Sequence, residues 1–284
     1  MADLVIKSGK VIDGTGKPAV RADVVISGSS VVSVGDALEV KGNLELDASG
    51  KVVCPGFIDI HSHADFSLMV DRRNEGAIRQ GITTVVTGNC GISLAPFRRE
   101  DRPDETFPPG PMALLGNWSD YKFPSLAHYN AAFDAAPAAC NAATLIGHTT
   151  LRAGVMKDFN RPATKVEIDT MLKGLEQCLN FGAIGLSTGL AYPTALHAPT
   201  EEVVELARSL RSFNALYATH MRNEEGKLIE AVDETIDIAK QTGADTVISH
   251  HKCAGRANWG KSKKTLARIA QAQNGINLNF ERSF

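Results

Sequence analysis

From residue 53 onward the chain repeats one rhythm: a short apolar run, a polar loop, then a longer amphipathic stretch. This alternation restricts the fold more than any other feature of the sequence. Segments 57–61, 83–88, 143–148, 183–187, 215–220, 246–250 and 276–280 are short, apolar and bounded by Gly, Asn, Ser or Thr, so they read as strands. Segments 165–179, 201–213, 228–241 and 265–273 carry helical periodicity. Strands separated by helices form βαβ units and a parallel sheet. Seven such strands are one short of a closed (β/α)8 barrel.

Two regions depart from the rhythm. Residues 1–52 hold short Val/Ile-rich runs (LVIKSGKVIDG, ADVVISG, SVVSVGD) broken by Gly, Ser and Asp, which is hairpin chemistry. They are expected to form a small β domain, with turns near Gly14-Thr15-Gly16 and Gly28-Ser29-Ser30. Residues 91–140, rich in Pro and charge (PFRREDRPDETFPPGP), read as an insertion after the second barrel strand. Insertions of that kind often cap or line a site. The expected organisation is therefore a β domain over 1–52 and an incomplete (β/α) barrel over 53–284.

Chemistry gathers at the strand ends. In GFIDIHSHADF, His61 and His63 stand at positions i and i+2 of a strand, so both side chains point to one face. Cys90 lies just past the second strand in TGNCG, His220 ends ALYATH, and His250 ends VISH. Barrel active sites are built from residues at the C-terminal ends of several strands. Imidazole and thiolate are good zinc ligands. Each residue alone also fits a structural role, since buried cysteines fill cores and single histidines serve as bonded core groups. His148, at the end of the third strand, is open to either reading, and Asp65 could support a ligand histidine or cap the next loop.

Together, GFIDIHSHADF, GITTVVTGNCG, GLAYPTALHAPTEE, THMRNEEGKLIEAVDE and ISHHKCAGRANWGK resemble the amidohydrolase superfamily, and within it the D-aminoacylases that deacylate N-acyl-D-amino acids. The resemblance spans nearly the whole chain. It implies a TIM-type (β/α)8 metal-dependent hydrolase barrel beside one half of a composite β-sandwich, with zinc at the barrel mouth. By the same resemblance Cys90, His220 and His250 match the ligands of a tightly held zinc. His61 and His63 match a second, weaker site that shares Cys90, and Tyr192 and Lys252 match positions that bind the substrate carboxylate. Hydantoinases and dihydroorotases bridge two metals with a carboxylated lysine on strand four. That strand here reads AIGLSTGLAYP without lysine, which favours linear N-acyl amides over rings.

The resemblance also implies a strand-eight aspartate acting as general base, and no residue matches it, so the catalytic residue is unassigned. The chain ends at NLNFERSF, just after the seventh strand. It is accordingly expected to be a truncated product in which the strand bearing His61 and His63 keeps an open edge. The alternative to a deacylase is then a non-catalytic zinc-binding remnant.

Two short motifs point elsewhere and are set aside. Gly255 to Ser262 (GRANWGKS) fits the phosphate-cradling pattern G-x-x-x-x-G-K-[ST], but Trp259 crowds a loop that needs small residues. Gly185-Leu186-Ser187-Thr188-Gly189 fits a nucleophile elbow, which requires an immediate helix; Tyr192 and Pro193 intervene instead. A net charge of −2 leaves no footprint for nucleic acid or an anionic membrane surface. The longest apolar runs fall well short of the ~18 residues a bilayer span needs. The five scattered cysteines fit a reducing, cytoplasmic setting, and the expected partner is a small N-acyl amino acid.

Overall fold

The structure, a computed structural model, describes residues 1–281. It divides into two compact units, the first Met1–Phe57 and the second beginning at Ile58.

The first unit is built on strands β1 (Ala2–Val11), β2 (Val20–Ser27), β3 (Ser30–Gly35), β4 (Gly42–Asp47) and β5 (Val52–Val53). They form one sheet in the order β3-β2-β1-β4, with β5 also on β1. β1–β2 and β2–β3 are antiparallel hairpins, while β4 runs parallel to β1. The turn between β2 and β3 is Gly28-Ser29, and Gly28 takes the positive φ of +58° that such a tight turn demands. Inside, Asp23 accepts from the Ser8 and Leu38 amides, and Lys7 donates to the Leu38 and Val40 carbonyls.

The second unit follows the alternating rhythm. Its elements in chain order are β6 (Phe57–Asp59), α1 (Ser67–Val70), α2 (Glu75–Ile78), β7 (Ile82–Thr87), β8 (Phe97–Arg98), β9 (Lys122–Phe123), α3 (Leu126–Asp134), β10 (Asn141–Gly147), α4 (His148–Val155), α5 (Lys165–Asn180), β11 (Gly185–Gly189), α6 (Thr200–Ala207), β12 (Leu216–His220), α7 (Leu228–Thr242), β13 (Asp245–Ile248), α8 (Ser262–Ala272) and β14 (Leu278–Phe280). Seven of the strands form one sheet in the order β14-β13-β12-β11-β10-β7-β6. Every ladder from β7 to β14 is parallel. All C-terminal ends in those ladders therefore lie along one rim. Strands expected at 143–148 and 246–250 stop earlier, at Gly147 and Ile248, so His148 and His250 lie beyond the ends of their strands.

The helices form where capping and periodicity agree. In α5, Thr164 accepts from the Glu167 amide while the Glu167 carboxylate takes the Thr164 amide, a capping box. Its buried residues, Ile168, Met171, Leu175, Cys178 and Leu179, recur at helical spacing and face the core. The 91–140 segment is not a loose loop. β8 pairs with β9, Phe97 packs against Trp118 and Tyr121, and the Arg102 guanidinium reaches the Ala153 carbonyl of α4 at 3.1 Å. Among the described residues, no helix is long and apolar enough to cross a membrane.

Candidate metal centre

The site begins with the turn leaving β7. Gly88 has φ +74°, Cys90 +54° and Gly91 +77°, three left-handed residues within four positions. Only glycine fits at 88, because a Cβ there would lie 1.9 Å from the Leu145 carbonyl oxygen of β10. Ser187, on β11, locks the turn: its hydroxyl donates to the Gly88 carbonyl and accepts from the Gly91 amide at 2.9 Å. The Thr149 amide donates to the Gly91 carbonyl at 2.8 Å. Thus the G-x-S-x-G serine is a buried clamp on the Cys90 loop rather than an exposed nucleophile.

That clamp buries the Cys90 sulfur at the strand rim. Cys90 Sγ lies 3.3 Å from His61 Nε2 and 3.4 Å from His250 Nε2. Burial, aided by the charges of Glu281 and Glu224, pushes the Cys90 thiol up to about 12. His250 sits two residues beyond β13 with φ +38°, a strained conformation for a side-chain-bearing residue. Its ring centroid is 5.2 Å from that of His61 and 4.4 Å from that of His220.

His220 ends β12, and its Nδ1 lies 3.3 Å from the Tyr192 hydroxyl. Burial lowers its imidazole to about 4. His63 is likewise lowered to about 4, by burial and then by His61 and His250 beside it. Both rings are neutral near neutral pH and keep a lone pair free for a cation. Burial raises the Tyr192 phenol to about 12, so it stays protonated.

Two carboxylates that the strand-end pattern did not single out complete the cluster. Glu224 Oε1 is 2.8 Å from His250 Nδ1, and Glu224 Oε2 is 2.5 Å from Lys252 Nζ and 3.8 Å from His220 Nε2. Glu281, directly after β14, contacts His61 Nδ1 and accepts the His250 amide at 3.2 Å. Burial would raise both carboxyls, but the histidine contacts, joined by Lys252 at Glu224, hold them below the ordinary range. Glu281 was findable by the rule that led to Cys90 and His220, since it too follows a strand end. Glu224 lies within the THMRNEE stretch, but only the fold turns it toward three partners.

Among the described residues, two donor groups have ligand atoms all within 4.8 Å of one another: His61, Cys90 and His250, and His220, Glu224 and His250. His250 is common to both. Cys90 is thus grouped with His61 rather than His220, and His63 stands outside both groups, its ring 5.4 Å from that of His61. Lys252 has its ammonium on Glu224 and 2.9 Å from His250 Nδ1. The donor set suits a thiophilic divalent cation.

The remaining candidate residues lie elsewhere. His148 opens α4 in the core, with Nε2 2.9 Å from Glu202 Oε1, and Arg152 binds the same carboxylate. Asp65 is buried beneath the rim; burial raises its carboxyl to about 7, which the Gly88 amide offsets only in part. In the loop at 255–262, Lys261 Nζ donates to Asn258 Oδ1 at 2.6 Å and Trp259 is 72% exposed, so no closed cradle forms.

A family model described as the amidohydrolase family matches residues 44–276. The D-aminoacylase of Alcaligenes xylosoxydans xylosoxydans is 44% identical over 279 residues, covering 98% of this chain and 56% of that protein. A D-aminoacylase structure described for its binuclear metal centre superposes with a TM-score of 0.94 at 43% identity, covering 99% of this chain and 58% of the other. The N-acyl-D-glutamate deacylase of Bordetella bronchiseptica, solved with zinc and a phosphonate inhibitor mimicking the tetrahedral intermediate, gives a TM-score of 0.92 at 38% identity, covering 99% and 58%. The chain therefore spans a little over half the length of the proteins it matches.

Proposed function

The chain belongs to the amidohydrolase family, and from that premise we propose that it hydrolyses the linear amide of N-acyl-D-amino acids, using zinc held at the β-strand rim. Water adds to the acyl carbon, the C–N bond breaks, and the products are a carboxylate and a D-amino acid. The names of its relatives, D-aminoacylase, N-acyl-D-aspartate deacylase and N-acyl-D-glutamate deacylase, support this substrate class. The parallel sheet is read as part of a TIM-type barrel, whose strand ends are where such chemistry is assembled.

The observation that carries the proposal is the gathering of donor atoms at the strand rim in two groups, His61, Cys90 and His250, and His220, Glu224 and His250, that share His250. By the family resemblance, Cys90, His220 and His250 are proposed to hold the tighter ion and His61 and His63 a weaker one sharing Cys90, whereas the ligand atoms as they lie group Cys90 with His61 and His250, and His220 with Glu224 and His250. When bound, zinc supplies Lewis acidity that polarises an amide carbonyl and acidifies water. Lys252, 46% exposed at its side chain, offers an ammonium to the substrate carboxylate as a point charge. Glu224 holds that ammonium at the rim before substrate arrives. The protonated Tyr192 hydroxyl, 3.3 Å from His220 Nδ1, is a hydrogen-bond donor facing the same space.

The test is release of free D-methionine from N-acetyl-D-methionine by zinc-loaded protein, with N-acetyl-L-methionine alongside and metal content measured on the same sample. Metal-dependent release from the D substrate is expected. Zinc uptake without release from any N-acyl-D-amino acid refutes the deacylase reading and leaves a metal-binding protein, while absence of zinc uptake refutes the metal centre itself.

A further inference from the structure

β6 and β14 are the two outer strands of the seven-stranded sheet. Ladder pairing does not join them among the described residues, yet residues just past their ends touch. His61 follows β6, Glu281 follows β14, and a carboxylate oxygen of Glu281 contacts His61 Nδ1 across a separation of 220 positions. We propose that Glu281 is a positioning residue of the metal centre, holding His61 in the tautomer that presents Nε2 to the ion and tying it to the His250 backbone.

Three features of the geometry carry this. First, the Glu281 backbone is anchored before its side chain acts. Its amide donates to the Ile248 carbonyl at 3.0 Å, and its carbonyl accepts from the His251 amide at 2.7 Å, extending the β13–β14 ladder by one residue. Second, an ionised carboxylate can only accept a hydrogen bond, so the His61 nitrogen facing it must carry the proton. A neutral imidazole has one N–H and one lone pair, and the lone pair is thereby assigned to Nε2. That nitrogen is the one 3.3 Å from Cys90 Sγ. Third, the same Glu281 Oε1 accepts the His250 amide at 3.2 Å. One oxygen thus spans the backbone of one donor and the ring of another, on strand ends from opposite sides of the sheet. His250 is the donor common to both groups.

A carboxylate on the far nitrogen of a ligand histidine sets ring orientation and raises ligand basicity, and its loss typically weakens metal binding about 10–100-fold. The inference rests on the metal-centre reading, so its test separates the two. In metal-free protein labelled with 15N-histidine, long-range 1H–15N spectra report the His61 tautomer, with its signals assigned by their loss in His61→Asn. Titration with Co(II) alone, followed through the d–d and thiolate-to-metal bands, reports the centre. Wild type is expected to show His61 protonated at Nδ1. Glu281→Ala should lose that preference and bind Co(II) about 10–100-fold more weakly, with Glu281→Asp recovering part of both. Far-UV circular dichroism of wild type and the three variants checks that each is folded. Glu281→Ala that keeps the Nδ1–H tautomer, or binds Co(II) as tightly as wild type with the same bands, overturns the assignment. A loss of stability that leaves tautomer and bands unmoved also overturns it, because a purely structural strut would behave that way. Wild type that binds no Co(II) overturns the metal-centre reading, and with it the purpose assigned to Glu281.

Discussion

Replacing Cys90 separately by alanine and by glycine isolates the backbone strain stored at the metal centre. Cys90 is buried at φ +54°, between an ordinary asparagine and Gly91. Both variants lose the same sulfur and the same contacts with His61 and His250. They differ only in the Cβ. A left-handed conformation costs an L-residue with a Cβ about 1–2 kcal/mol. Glycine ordinarily costs about 0.5–1 kcal/mol more than alanine through its unfolded-state freedom. The difference leaves Cys90→Gly more stable than Cys90→Ala by up to about 1.5 kcal/mol, the reverse of the usual order. Urea denaturation followed by tryptophan fluorescence reads this in the right place, since both tryptophans, Trp118 and Trp259, lie in the unit beginning at Ile58. Both variants should also lose the thiolate-to-metal band on Co(II) addition. Alanine more stable than glycine would refute the argument that the chain bears strain at 90 to place a thiol there.

Gly88→Ala alters no ligand, yet its Cβ would meet the Leu145 carbonyl at 1.9 Å at a positive φ; a loss of about 3 kcal/mol or more, together with weakened Co(II) uptake, is expected by the same two measurements. Ser187→Ala should cost about 1–3 kcal/mol by unclamping the Cys90 turn, and serine-directed phosphonates should leave wild-type activity untouched. Glu202→Ala strands the buried Arg152 guanidinium and His148, leaving Arg152 only the Thr194 and Arg161 carbonyls; the expected loss is about 3–5 kcal/mol. Burial would raise the Glu202 carboxyl, but His148 and Arg152 hold it at about 2, below its ordinary 4.5. Its contribution is therefore fully present above pH 4.5 and lost as pH falls toward 2, and the stability gap between wild type and Glu202→Gln should narrow across that window. Lys252→Met should raise KM for N-acyl-D-amino acids about 10–100-fold while metal content stays constant; an unchanged KM would remove Lys252 from the substrate site.

Much of the architecture was legible because it is written locally. Alternating apolar runs and amphipathic stretches define βαβ units over distances of a few tens of residues, and the observed strands overlap every expected one. His61, Cys90, His220 and His250 were visible for the same reason, since a metal-capable side chain at a strand end is a local pattern. Other features were not. His148 was open to a pocket or a core reading until β10 stopped at Gly147 and made it the first residue of a buried helix. The 91–140 segment read only as a Pro- and charge-rich insertion, because its aromatic residues are spaced irregularly and find one another only in the fold.

By itself, then, the sequence determined the parallel α/β layout, the kind of donor atoms at the rim and the exclusion of an elbow at Ser187. The tertiary structure decided how those donors are grouped: Cys90 with His61 and His250, His220 with Glu224, and His63 apart. It also placed the Lys252 ammonium on Glu224 and a Glu281 carboxylate oxygen against His61 Nδ1. The reason is distance along the chain. Periodicity reports which face a side chain takes within its own element, but contacts across 160 or 220 positions depend on how the sheet brings its strand ends together. No local pattern encodes that.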